Sequence, residues 1–220
     1  MRYREIMKYF DTPAAPICYV FVDRVASLFV WLNVNFLKIH PNYISILSGI
    51  FTVFSVVNFS KGLFIKGALF YFFAFLFDAI DGPSARALNK TSMLGVILEV
   101  WTDSLRLVGS TAGISWYLYK STLDERWLLI LFIWLVSFSA GLWLYPKAKE
   151  SFKDFKKEKK VEGYYISPVP TWMDYEMMAF FFLPLFGQVK LGMYILVIGY
   201  FISSLGMSGY LLFLGGKKKE

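Results

Sequence analysis

Cysteine and histidine are almost missing from this 220-residue sequence; each occurs once, as Cys18 and His40. A lone cysteine excludes an intrachain disulfide and any cysteine-rich metal centre. Cys18 therefore reads as a small packed hydrophobe, and His40, beside Pro41, as a structural residue at a helix junction. Charge is scarce as well: 18% of residues are Asp, Glu, Lys or Arg, and acids are outnumbered 16 to 23, for a net charge of +7. The opening MRYREIMKYFDTP is polar, and the apolar stretch after it is broken by Asp23 and Arg24, so no cleavable signal peptide is expected there.

Apolar residues fill the space that charge leaves. They make up 57% of the chain, and aromatics alone 20%, more than a soluble domain carries. The composition predicts an integral membrane protein forming a single domain over residues 1–220. Its basic residues fall between apolar segments. They point to anionic lipid headgroups and phosphorylated substrates as partners, and away from nucleic acid.

The predicted fold class is all-α. Residues 1–40 read as a juxtamembrane segment. Within it, residues 22–38 form an interfacial amphipathic helix, with Asp23, Arg24, Ser27, Asn35 and Lys38 on one side and Val22, Val25, Phe29, Leu32 and Phe36 on the other. A first crossing is the alternative for this stretch, and the Asp23–Arg24 pair and two asparagines argue against it. Residues 43–213 read as a six-helix bundle with spans at 43–60, 63–81, 92–118, 127–145, 172–187 and 190–213, of which the fifth is short for the roughly 20 residues a crossing needs. Gly82-Pro83 is expected to end the second span and Pro146 the fourth. The N-terminal region, the 82–91 and 147–171 loops and the tail hold 17 Lys and Arg, against five in the alternate connections. The positive-inside rule then places both termini on the cytoplasmic side of the cell membrane, together with the 82–91 loop.

That side also carries the sequence's most unusual feature. Phe70 to Phe77 reads FYFFAFLF, and Asp78 follows at once, with Asp81 three residues later. Glu99 and Asp103 are four apart in the next span. Each pair shares a helix face. A short link makes the two spans antiparallel neighbours, and face-to-face packing would gather four carboxylates that repel strongly in low dielectric. One or two divalent cations relieve that repulsion. Oxygen donors without His or Cys favour Mg²⁺, Mn²⁺ or Ca²⁺ over Zn²⁺. Magnesium commonly binds carboxylates together with phosphates, so a phosphate-bearing substrate follows. The small residues Gly82, Ala85 and Gly95 would let it approach the backbone, and Arg86 would neutralise a phosphate oxygen.

Asp78, Asp81, Gly82, Ala85, Arg86, Gly95, Glu99 and Asp103 resemble the D-x-x-D-G-x-x-A-R-x8-G-x3-D-x3-D signature of the CDP-alcohol phosphotransferases, membrane enzymes of phospholipid synthesis. Seven of the eight positions match, and Glu99 stands where the family has Asp. The resemblance implies a metal-dependent enzyme with six spans behind an interfacial helix, assembled as a homodimer. It implies transfer of a phosphatidyl-type group from a CDP-linked lipid (CDP-diacylglycerol or CDP-archaeol) to a small alcohol, with release of CMP. Asp78, Asp81, Glu99 and Asp103 would hold Mg²⁺ or Mn²⁺, and Asp103 would also be the general base. Asp78, Gly82, Ala85, Arg86 and Gly95 would line the nucleotide pocket. Tyr145, Lys147 and Ala148 match the S-Y-x-K-A-R-A-E stretch of members with phosphorylated acceptors, with Lys149 replacing Arg. Lys147 and Lys149 are thus expected at the acceptor site, the acceptor being a polyol phosphate such as inositol phosphate or glycerol phosphate. A cation expected in those members near the start of the fifth span is missing from Thr171 to Glu176. Serine or another amino alcohol as acceptor, a soluble donor such as CDP-inositol, and a degenerate nucleotide-binding scaffold are the other readings.

Overall fold

The computed structural model describes residues 1–10, 14–159, 167 and 170–217, with side chains described for these except Arg4, 147–159 and 214–217. The described residues are helical throughout the body of the protein. A short helix α1 (Tyr3–Ile6) precedes α2 (Pro16–Leu37), α3 (Pro41–Ser60), α4 (Phe64–Ala87), α5 (93–122), α6 (Arg126–Lys159), α7 (172–185) and α8 (Val189–Lys217). By length and apolar composition, α2, α3, the Arg126–Pro146 part of α6 and the Val189–Phe213 part of α8 suffice to cross a membrane. α4 carries Lys66, Asp78, Asp81 and Arg86 on an otherwise apolar helix.

Helix starts follow the sequence closely. Pro41 opens α3 at its first position, and His40 Nδ1 accepts from the Asn42 amide at 3.3 Å. The expected stops at two prolines do not occur. α4 runs through Pro83 to Ala87, and α6 runs through Pro146 to Lys159. Each proline removes one N–H donor from its helix; packing sustains the turn at Pro83, whereas Pro146 is exposed. Pro83 is buried, and beyond it Leu88 and Lys90 donate to the Ser84 and Ala85 carbonyls, each at 2.9 Å.

The helices expected as the second and third spans, α4 and α5, also prove not to pack face to face. α3 packs against both, and α4 and α5 share no comparable contact. Small residues on two faces of α3 explain this. Towards α4, Ser45, Ser48, Thr52 and Ser55 form a buried stripe; Ser48 donates to the Ala74 carbonyl at 2.8 Å and Ser55 to that of Gly67 at 2.9 Å. Towards α5, a Cβ at Gly49 would lie 3.1 Å from Thr102 Cγ2, and one at Gly113 3.2 Å from the Val56 carbonyl.

α2 lies against α4 and the start of α7. It buries Cys18, Val22, Ala26, Ser27, Val30 and Asn33, and turns Val25, Phe29 and Phe36 outward. Ser27, assigned to the polar side from the sequence, is buried because its hydroxyl bonds the Tyr3 hydroxyl at 2.7 Å and the Arg24 carbonyl at 2.8 Å. Asp174 ties α7 to α2. It accepts from the Ile17 amide at 2.7 Å and from Thr171 at its own helix start, also at 2.7 Å.

Candidate active site

Because α4 continues past Pro83, Asp78, Asp81, Gly82, Ala85 and Arg86 lie on one uninterrupted helix. Their spacing of i, i+3, i+4, i+7 and i+8 forms a single stripe. A cleft of about 150 Å³ opens on this stripe. Its walls are Asp81, Gly82, Ala85 and Arg86 of α4, Gly95 and Glu99 of α5, and Pro41, Asn42 and Ser45 from the start of α3, with Lys90 to Ser92 closing one side. Four of the five residues expected around a nucleotide therefore share one cleft. Asp78, the fifth, is not among its walls.

The α3 contribution was not anticipated. Asn42, Ser45 and Ser92 carry no motif, and only the wedging of α3 between α4 and α5 brings them in. Ser45 Oγ donates a short hydrogen bond to Asp81 Oδ2, leaving that nearly buried carboxylate with a fixed orientation. Ser92 caps α5, accepting from the Gly95 amide at 3.1 Å and donating to Asn42 Oδ1 at 3.4 Å. Gly95 belongs here for steric reasons: a Cβ would sit 3.3 Å from both Asn42 Oδ1 and Ser92 Oγ. Arg86 Nε donates to the Tyr9 carbonyl at 2.8 Å, which draws the N-terminal segment to the end of α4.

The four carboxylates divide into two pairs. Asp81 and Glu99 face the cleft. Asp78 and Asp103 instead converge on Arg106, whose Nη2 lies 3.5 Å from Asp78 Oδ2 and makes a very short ion pair with Asp103 Oδ1. The pairing of Arg106 with Asp103 agrees with its place one turn further along the helix. Its reach to Asp78 follows from the gap that α3 holds open between α4 and α5, which a long side chain can span. Arg106 sits in a π-turn, Leu105–Gly109, that begins two residues after Asp103. Such single turns re-aim side chains and recur at functional sites.

Glu176 of α7 completes the arrangement, and sequence reasoning missed it. It is 4% exposed, and its Oε2 lies 3.4 Å from Arg106 Nη1. Tyr200 of α8 donates to Glu176 Oε1 at 2.7 Å, and Tyr71 of α4 to Oε2 at 3.3 Å. A buried carboxylate in an apolar helix was the available signal. Its partner, 70 residues away, was not legible.

Among the described residues, no three Asp, Glu, His or Cys side chains converge in a metal-holding arrangement. The donor set still fits a hard divalent ion. It consists of carboxylate oxygens alone, and Asp78 and Asp103 already meet on one cationic group. The side chains of Lys147 and Lys149, expected at an acceptor site, lie outside the described residues.

Comparison with known proteins shows which family the chain belongs to. A probable CDP-diacylglycerol–inositol 3-phosphatidyltransferase from Arabidopsis thaliana is 33% identical over 139 residues, 61% of this chain. The match spans 56% of that relative's length. The fold resembles phosphatidylinositol phosphate synthase (PgsA1) of Mycobacterium tuberculosis with CDP-DAG bound, at a TM-score of 0.59 and 18% identity, covering 84% of this chain and 92% of that one. The same enzyme in complex with manganese and citrate gives 0.56 and 18%, covering 85% and 87%. The family model for CDP-alcohol phosphatidyltransferase matches residues 38–205, most of the chain and the whole of the carboxylate motif, so the protein belongs to the CDP-alcohol phosphatidyltransferase family.

Proposed function

We propose that the protein transfers the phosphatidyl-type group of a CDP-linked lipid to the hydroxyl of a small polyol phosphate, releasing CMP. The observation that carries this reading is the joining of the motif stripe of α4 and the start of α5 around one cleft, with carboxylates at its wall and Arg86 and Lys90 at its rim. Gly82, Ala85 and Gly95 leave room for a nucleotide against the backbone. Arg86 takes a phosphate oxygen. Asp78, Asp81, Glu99 and Asp103 would hold Mg²⁺ or Mn²⁺, which supplies charge neutralisation for the pyrophosphate and the departing CMP. Asp103 removes the acceptor's hydroxyl proton as the new oxygen–phosphorus bond forms and the bond to CMP breaks. Lys147 and Lys149 would hold the acceptor's phosphate.

A topology follows from the same reading. α3, α4, α5, α6, α7 and α8 make six crossings, α2 lies along the interface, and the basic segments place the termini and the cleft on the cytoplasmic side. The protein works as a homodimer.

A free polyol acceptor such as inositol is a second reading. One observation favours it: the start of α7 presents buried Asp174 and Glu176 where a phosphate-binding cation would be expected. The two readings separate in one assay. Purified protein with CDP-diacylglycerol and Mn²⁺ is offered inositol, inositol phosphate, glycerol phosphate or serine, and the new lipid headgroup is identified by mass spectrometry. Inositol phosphate or glycerol phosphate is the expected acceptor. Exclusive use of inositol would replace the first reading with the second.

Glu99 also yields a prediction. It keeps the charge of the family's Asp on a longer arm and lies at the cleft wall. Glu99→Asp is expected to leave CMP release at or above the parent rate. A loss of more than tenfold would mean that the longer carboxylate is required by this site's spacing.

A further inference from the structure

We infer that Arg106 is a resident counter-cation of the carboxylate site, positioned to exchange its place between Asp78 and Asp103 with the divalent ion, and that Glu176 receives the guanidinium when it leaves. This rests on the reading of Asp78 and Asp103 as metal ligands and goes beyond it, because Arg106 and Glu176 lie outside the motif.

Three observations carry the inference. The guanidinium has two ends with different neighbours. Nη2 engages Asp78 and Asp103, whereas Nη1 engages Glu176 at 3.4 Å and the Tyr71 hydroxyl at 3.4 Å. A small movement towards α7 therefore exchanges one set of carboxylate contacts for another, with no uncompensated charge left in the bundle. The guanidinium also lies over the Phe75 ring, 4.6 Å from its centroid, a flat surface that holds its plane in either position. Finally, the charges are unequal. Three carboxylates, Asp78, Asp103 and Glu176, face one guanidinium and leave a formal negative surplus that a divalent ion would offset. Tyr71 and Tyr200 pin Glu176 and fix it as a static acceptor. Arg106 is thus a positioning residue, acting through the two carboxylates it holds.

A structural brace and an exchangeable counter-cation differ in the sign of their effects on metal binding. Protein in lipid nanodiscs is titrated with Mn²⁺, and free Mn²⁺ is read by electron paramagnetic resonance. Arg106→Gln removes a competing positive charge and is expected to tighten Mn²⁺ binding about tenfold, the scale of one charge interaction in a solvated site. Glu176→Gln removes the receiving carboxylate and keeps groups that can bond both tyrosines. It is expected to weaken Mn²⁺ binding by a similar factor, because the guanidinium then stays on Asp78 and Asp103. Weaker or unchanged binding by a folded Arg106→Gln protein overturns the inference. Should that variant not fold, Glu176→Gln decides alone: weakened binding at an unchanged melting temperature supports the exchange, and unchanged binding refutes it. Failure of the parent protein to bind Mn²⁺ would refute the metal reading itself. Binding by the parent without the opposed signs refutes only the role of Arg106.

Discussion

Asp103→Asn is expected to slow CMP release by about 10²–10⁴-fold, the range that general acid–base catalysis commonly contributes. The amide matches the carboxylate in shape but takes no proton from the acceptor hydroxyl. It also weakens the ion pair with Arg106 while leaving a carbonyl oxygen as hydrogen-bond acceptor. Asp103 is partly exposed on α5, with 39% of its side chain accessible, so the substitution buries no new polar group and the fold is expected to persist. The cleft walls around Gly82, Ala85 and Gly95 do not include this residue, so the nucleotide contacts are expected to persist, while loss of a metal ligand also weakens Mn²⁺ binding. The predicted pattern is a low kcat that saturating Mn²⁺ does not restore. Turnover within tenfold of the parent would remove Asp103 from the role of base.

Asp81→Asn is the second large effect, and it acts on the metal. Asp81 is 6% exposed, lies at the cleft wall and accepts a hydrogen bond from Ser45. Loss of its charge removes a ligand, and groups that merely orient a ligand already account for 10–100-fold in metal affinity. Mn²⁺ affinity is expected to fall by more than about 100-fold, with turnover falling alongside. Ser45→Ala provides the graded control: it leaves the ligand but frees its orientation, and a loss of about tenfold is expected within the same range. Metal titrations and CMP release on the same preparations check both. Equal effects of the two substitutions would mean that Asp81 holds no metal.

The contrast between these residues shows what the chain alone discloses. The carboxylate motif was legible because its chemistry is local. Spacings of three and four residues place side chains on one helix face whatever the tertiary fold, and acids beside FYFFAFLF stand out against an apolar background. The starts of α3 and α5 were legible for the same reason, being set by Pro41 and by the position of the polar link before Met93. Pro83 misled because proline's effect on a helix is decided by packing, and Pro83 is buried. In an apolar bundle the next turn has few other ways to satisfy its backbone groups, so α4 continues; α6 also runs through Pro146, which is exposed.

Features that depend on three helices at once were hidden. Nothing local to Ser45 or Asn42 connects them with Asp81 or Ser92, because the position of α3 between α4 and α5 follows from small residues on both of its faces. The pairing of Arg106 with Asp103, three residues earlier, follows from helix spacing alone. The contacts of Arg106 with Asp78 and Glu176 depend on the gap between helices. Glu176 itself sits in a segment whose most visible sequence property was the absence of a cation.

The central claim is that the carboxylate cleft performs metal-dependent transfer from a CDP-linked lipid. The most direct measurement is CMP release by purified protein in nanodiscs containing CDP-diacylglycerol, with Mn²⁺ and inositol phosphate supplied together or singly. CMP is expected to appear in step with a new phospholipid only when donor, acceptor and metal are all present, and to stop when the metal is chelated. CMP release that continues unchanged after chelation, or no CMP with any polyol or amino-alcohol acceptor, would contradict the account.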